Sequence, residues 1–461
     1  MPRLTAGRVA AICGGRIVGD GDRTARYVVS DSRTVTNETA FAAVGGGHGF
    51  AREAFDAGAP FVIAERADDD VSSAVIVGDT VTALGALARE VRRELDVDVI
   101  GITGSLGKTL TKDLVASVLA TGSRVHASPK SYNQELGVPL TVLGCPDDAE
   151  VMVCELGARH VGDIAHLSDM VRPRVGIVTG IGITHLEEFG SREAIARTKS
   201  ELLAALPADG IAIVPSNDDY LDVLSASTSA RMRTVGPGAA ISYRAEQIDE
   251  RGRTHGVVRV DRRDVAVTLP IAGRALMRNV AFAIATGLEF DIDPDEAARA
   301  VADARLSSFR MEIVDVDGWT IINDAYNANP TSVASALHSA KEMSAGRPLW
   351  AVLGPMLELG PDADNEHRRI GRLAADLGYD GVIAIGGEGA EIARGAGAIA
   401  LEVPTPDDAA DALVARVPPG ALVVVKASRV VSLERFPEIL KARANLSGRM
   451  RRERAPSDGK A

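Results

Sequence analysis

Seven residues carry the clearest chemical signal: TGSLGKT at 103–109, inside VDVIGITGSLGKTLTKDLV at 97–115. An apolar run ends, glycines follow, and a lysine and a threonine open an apparent helix. Glycines let the backbone turn sharply and aim N–H groups at phosphate oxygens, and the helix N-terminus adds a favourable dipole. Lys108 would reach the β- and γ-phosphates, and Thr109 would offer its hydroxyl to Mg²⁺. The spacing departs from the strict pattern G-x-x-x-x-G-K-[ST], whose first glycine would fall on Ile102. The glycines stand instead at Gly101, Gly104 and Gly107. No N-K-x-D guanine signature occurs, which argues against a GTPase.

Five other stretches carry polar residues, four of them at the ends of apolar runs. VMVCELGARHVGDI places Glu155 where a parallel sheet would present a metal ligand. GIVTGIGITHLEEFGS sets His185 just past another run, and AIARTKSELL puts Lys199 on a helix. Taken singly, these three read as readily as a solvated loop residue, a structural histidine and a surface lysine. INDAYNANPTS packs Asn323, Asp324, Tyr326, Asn327 and Asn329 before Pro330, dense even for a turn. VVVKASRVV puts Lys426, Ser428 and Arg429 at a further strand end. The chain has eight lysines among 51 basic residues, so arginine is its ordinary cation. A lysine differs in being a compact point charge whose amine can lose its proton.

The elements needed to hold these residues follow from hydrophobic rhythm. The 461 residues exceed one ordinary core. Short strands alternating with helices predict an α/β protein of three domains. Residues 1–95 form a small N-terminal α/β domain. Residues 96–305 form a central unit with a parallel, P-loop ATPase-like sheet and an antiparallel hairpin at 255–270. Residues 306–445 form a Rossmann-like C-terminal unit, and 446–461 read as a disordered tail. A net charge of −12 argues against a broad nucleic-acid surface. Cys13, Cys145 and Cys154 are too scattered for a disulfide framework or zinc site. No apolar run has membrane-spanning length and no signal peptide is evident. These features predict a cytoplasmic protein without membrane insertion.

From about Asp31 to Glu434 the chain resembles the Mur ligases of peptidoglycan synthesis. Their phosphate loop has the form T-G-x-x-G-K-[ST], which TGSLGKT satisfies. DSR at 31–33 with GHGF at 47–50, YNQELGVPLTVL, ELGARHVGDI, THLEEFGS and TKSEL match in order. NDAYNANPTS with LGPMLELG and VKASR is the most specific set. It points to the branch that joins D-alanyl-D-alanine to a UDP-N-acetylmuramoyl tripeptide. The D-N-P-[RK] motif of the branch that adds the tripeptide's third residue is absent.

The resemblance implies ATP and two Mg²⁺ ions, with Lys108, Glu155, His185 and Lys199 as the catalytic set. Thr109, Glu155 and His185 would be Mg²⁺ ligands, and Lys199, carbamoylated, would help hold a second ion. Gly104, Ser105, Gly107, Lys108, Thr109, Asn279, Arg310 and Asp324 would bind ATP, with Asn279 at the base. Ser32, Arg33, Asn133, Tyr326, Asn327, Asn329, Lys426, Ser428 and Arg429 would meet the substrates. A monomer is expected. Some positions depart from the family pattern: the H-N of G-R-H-N-V-x-N is Ala275-Leu276, an Asn after a strand is Gly180, D-G-H is reduced to GGH at Gly46, and an Asp is Pro355. The catalytic set is intact, while base and uridine contacts are altered. Three readings stay open: this ligase, one of the same chemistry on another carboxylate and amine, and a non-catalytic nucleotide-binding partner protein.

Overall fold

The computed structural model describes residues 4–182, 186–308, 311–387 and 389–444. His185, Arg310 and the tail from 446 lie outside the described residues. The architecture is α/β, with three larger sheets built from successive stretches of chain. The first has five strands drawn from residues 16–76. A separate short pairing joins Leu4–Thr5 to Thr24–Ala25.

The central sheet has nine strands, and its topology places the site. Asp98–Thr103 lies between Val151–Glu155 and Val175–Val178, parallel to both. The register pairs Glu155 with Ile102 and Val178 with Thr103, so three strands deliver their C-terminal ends to one edge. Such an edge, where strand order reverses, is where open α/β sheets bind ligands. The strands at 254–260 and 263–269 form the expected antiparallel hairpin.

The strand residues are nearly all apolar because both faces are covered. Ile100, Ile102, Val153 and Ile177 are buried in one core with the helices Lys108–Leu119 and Met277–Leu288. On the first helix Leu114, Val115, Val118 and Leu119 recur at helical spacing, and on the second Val280, Phe282 and Ile284 are fully buried. Burying each such side chain contributes roughly 1.5–3 kcal/mol. That packing fixes both helix N-termini beside the sheet edge.

In the third sheet Trp319–Asn323 runs parallel to Leu422–Lys426, with Glu312–Val316 antiparallel at its edge. Lys426 and Asp324 therefore emerge side by side. Cys13, Cys145 and Cys154 are free thiols.

Candidate active site

The phosphate loop is shaped by what surrounds its glycines. Gly104 has φ +135° and Gly107 φ +79°, both in the region that favours glycine. A Cβ on Gly104 would stand 2.1 Å from Thr179 Oγ1, and one on Gly107 2.4 Å from Asn279 Nδ2. Neither position can carry a side chain. Thr179 Oγ1 donates to Leu106 O at 2.6 Å, Ser105 N donates to Gly180 O at 2.9 Å, and Gly182 N donates to Ser105 Oγ at 2.8 Å. The loop is thus braced by the neighbouring strand end. Gly107 caps the following helix with no side-chain bond, so the first-turn N–H groups have no side-chain cap and form an anion site. Lys108 Nζ donates to Gly104 O at 2.8 Å, folded back over the loop.

Glu155 is 1% exposed. Its Oε2 accepts from Thr109 Oγ1 at 2.7 Å and its Oε1 from Asn133 Nδ2 at 2.6 Å. Its backbone N–H donates to Ser128 Oγ at 3.2 Å. These partners are neutral, and among the described residues no cation pairs with Glu155. A buried carboxylate served only by neutral donors is costly, and a divalent cation beside it and the Thr109 hydroxyl would meet that cost. The residues present therefore fit Mg²⁺. Among the described residues no group of three His, Cys, Asp or Glu side chains makes a metal cage. None is required where phosphate oxygens complete the shell.

Lys199, on the helix Arg192–Ala204, is 2% exposed. Its Nζ lies 5.6 Å from the Phe189 ring centroid and has no hydrogen bond or ion pair among the described residues. Burial, reinforced by the Lys108 charge, pulls its pKa down to about 7. A large fraction of this amine is therefore neutral near pH 7.

The third unit supplies the opposite wall. Lys426 Nζ donates to Asp324 Oδ2 at 2.5 Å, Asp324 O at 3.0 Å and Asn327 O at 2.9 Å. Asp324 Oδ1 accepts from Met311 N at 3.1 Å. Asn329 and Ser332 form a reciprocal capping box that starts the helix Pro330–Met343. Arg429 stacks 5.1 Å over Tyr326, and Ser428 Oγ accepts from Leu357 N at 3.0 Å.

A cleft of about 380 Å³ joins the two walls. Ser105, Gly107, Lys108, Thr109, Asn133, Glu155 and Asn279 line it from the central unit. Asp324, Tyr326, Asn327, Asn329 and Lys426 line it from the third. Asn279 is committed to the loop, its Nδ2 donating to Gly107 O at 3.1 Å and Thr111 Oγ1 at 2.8 Å. Ser428 and Arg429 follow the strand end, and Lys199, outside the cleft lining, is near enough to feel the Lys108 charge. Ser32, half-buried, and Arg33, exposed, lie apart in the N-terminal unit, where Arg33 pairs with Asp31 at 2.7 Å and holds the Asp31 carboxyl down to about 2. His185 and Arg310 lie outside the described residues. A larger hollow of about 830 Å³, lined by Arg92, Asp98, Arg172 and Asp209, contains none of these groups.

Lys112 was not singled out from the sequence. It is 2% exposed, and its Nζ donates to Ser128 O at 2.7 Å and Lys130 O at 2.8 Å while pairing with Asp113 at 2.9 Å. It anchors the segment that carries Ser131 and Asn133 to the cleft. The scarcity of lysine was the signal that could have found it.

Comparison with known proteins agrees with this geometry. Models of the Mur ligase middle domain and of the Mur ligase glutamate ligase domain match residues 102–287 and 309–429. The UDP-N-acetylmuramoyl-tripeptide–D-alanyl-D-alanine ligase of Mycobacterium tuberculosis is 35% identical, over 96% of this chain and 98% of its own. The chain belongs to the Mur ligase family. The Bacillus subtilis ligase of the same name is 35% identical over 80% of this chain and 82% of its own. Among solved structures, MurF from Acinetobacter baumannii superposes with a TM-score of 0.84 at 28% identity, covering 96% of this chain and 99% of that one. MurF from Thermotoga maritima in complex with ADP gives 0.77 at 28% identity, covering 92% and 98%. This Mur ligase thus has the three-domain fold of those enzymes.

Proposed function

We propose that this Mur ligase joins D-alanyl-D-alanine to a UDP-N-acetylmuramoyl tripeptide at the expense of ATP, as a monomer in the cytoplasm. The observation that carries the reading is the cleft itself. It sets a phosphate loop and an uncompensated buried carboxylate against the Asp324–Lys426 wall, in a chain similar over nearly its whole length to ligases of that name. Among the described residues no helix is long and apolar enough to cross a membrane.

The loop N–H groups and Lys108 hold the β- and γ-phosphates. The tripeptide carboxylate attacks the γ-phosphorus, forming a C–O–P acyl phosphate and releasing ADP. The dipeptide amine then attacks the acyl carbon, the amide forms, a proton leaves the nitrogen and inorganic phosphate departs. Lys108 lowers the repulsion between the two anions, a task for which preorganised charge is effective. Mg²⁺, for which Thr109, Glu155 and His185 would be ligands and carbamoylated Lys199 would help to hold a second ion, would supply further charge neutralisation. For that role neutral Lys199 combines with CO₂: an N–C bond forms, one proton is released, and a carbamate anion results. Asp324 and Asn279, which line the cleft, would face the nucleotide, a role the family resemblance also gives Arg310, and Tyr326, Asn327, Asn329, Lys426, Ser428 and Arg429 would close over the substrates from residues 306–445. Residues 1–95, through Ser32 and Arg33, take the uridine end.

Mass spectrometry tests the reading. Purified protein with ATP, Mg²⁺, UDP-N-acetylmuramoyl tripeptide and D-alanyl-D-alanine should yield the UDP-linked pentapeptide, ADP and phosphate over many turnovers; without the dipeptide no pentapeptide should form, and ADP should not exceed about one equivalent per enzyme. Turnover of other carboxylates with none of the UDP-tripeptide would instead assign the same chemistry to another substrate pair.

A further inference from the structure

Arg278 is the second residue of the helix Met277–Leu288 and lines the cleft beside Asn279, Ala275 and Leu276. Its guanidinium makes no hydrogen bond or ion pair among the described residues, and its Nε is buried without a partner. A buried donor left unmade is destabilising, and a guanidinium has five donors to satisfy.

Its station depends on Gly180. A Cβ at position 180 would lie 3.2 Å from an Arg278 terminal nitrogen, 3.6 Å from its Cζ and 3.4 Å from Asp218 Oδ2. Gly180 has φ +135°, so the position disfavours any side chain. Gly180 O accepts from Ser105 N, which puts the guanidinium beside the opening of the phosphate loop. Asp218, the nearby carboxylate, is already engaged by the N–H groups of Ile181 at 2.8 Å and Tyr220 at 3.0 Å. The protein thus holds a cation with idle donors in a cleft shaped for a polyanion.

We infer that Arg278 is a nucleotide-binding residue whose guanidinium donates to acceptor atoms of the bound nucleotide. The inference rests on the reading of this cleft as the ATP site. Phosphate oxygens and the purine edge share the required acceptor chemistry. They differ in consequence, because a donor-only group on the base edge suits N7 and O6 of a 6-oxopurine better than the N7 and amino group of adenine.

Calorimetric titration of the full-length protein with Mg²⁺ and ADP, GDP or pyrophosphate tests this. The variants are Arg278→Ala and Arg278→Met, the latter keeping the apolar stem. Both should bind ADP about 10- to 100-fold more weakly than wild type. The ligand-free melting temperature of Arg278→Met should not fall, since no hydrogen bond or ion pair among the described residues is lost. An equal loss for all three ligands places the contact on phosphate. A loss for ADP and GDP that spares pyrophosphate places it on the base. ADP affinity within twofold of wild type in a folded variant overturns the inference while leaving the ATP site standing. Failure of the wild-type protein itself to bind ADP overturns both.

Discussion

The two units that meet at the cleft each bury a lysine, and the two are treated oppositely. Lys426, 3% exposed, has a carboxylate and two carbonyl oxygens within 3.0 Å. Lys199, 2% exposed, makes no hydrogen bond or ion pair among the described residues and has the face of Phe189 5.6 Å away. A buried ammonium supplied with acceptors is a strut, here tying one strand end to the turn after another. A buried amine without acceptors gives up its proton more readily and becomes a nucleophile. Lys112, with its carboxylate and two carbonyls, belongs with Lys426. Burial alone therefore does not mark a reactive lysine; the missing acceptors do.

The largest effect should come from removing the reactive amine. Lys199→Ala should lose about 10²- to 10³-fold or more in turnover, comparable to Lys108→Ala. Millimolar acetate or formate should restore part of it, by placing a carboxylate where the proposed carbamate would stand. The same salts should do nothing for Lys108→Ala, and Lys199→Arg should be inactive and beyond rescue. An active Lys199→Arg would collapse the contrast between the two lysines.

Lys426→Ala tests the other lysine. It leaves Asp324, largely buried, without its cation, and breaking such a pair costs about 3–5 kcal/mol. The expected readout is a lowered unfolding midpoint as well as lost activity, with no response to acetate.

A smaller effect lies in the pH dependence of stability. In the fold Lys199 titrates at about 7, against 10.5 for an unperturbed lysine. Between these values the unfolded chain holds a proton that the native state lacks, so stability rises with pH across the window. It levels off above 10.5, and below pH 7 the burial penalty is fully felt. The slope from this group is at most about 1.4 kcal/mol per pH unit. Denaturant titrations in CO₂-free buffer should show it in wild type and lose it in Lys199→Met.

The smallest effect is expected far from either wall. Arg33→Ala breaks an exposed pair with Asp31 and should leave the melting temperature unchanged. If Arg33 meets the uridine end, KM for the UDP-linked substrate rises a few-fold while KM for ATP stays put.

What was legible in the sequence was what is local. The phosphate loop could be read because its glycines, lysine and threonine are neighbours in the chain, and Glu155 because it ends an apolar run. The polar cluster before Pro330 announced itself by density. The sheets followed from alternating apolar runs. The bond from Asn279 to Gly107 crosses 172 positions, and no spacing foretells it. Lys199's isolation depends on which groups fail to approach it, and Arg278's on room left by a glycine 98 residues earlier, counted as 278 minus 180. Such features arise from packing between distant segments. Family likeness could flag Lys199, but only the burial pattern gives the physical reason.

The most direct test is ¹³C NMR of the protein equilibrated with ¹³C-bicarbonate at pH 8. The account predicts one carbamate carbonyl resonance in wild type that persists in Lys112→Met and disappears in Lys199→Ala. No such resonance in wild type, or one that survives the loss of Lys199, would contradict it.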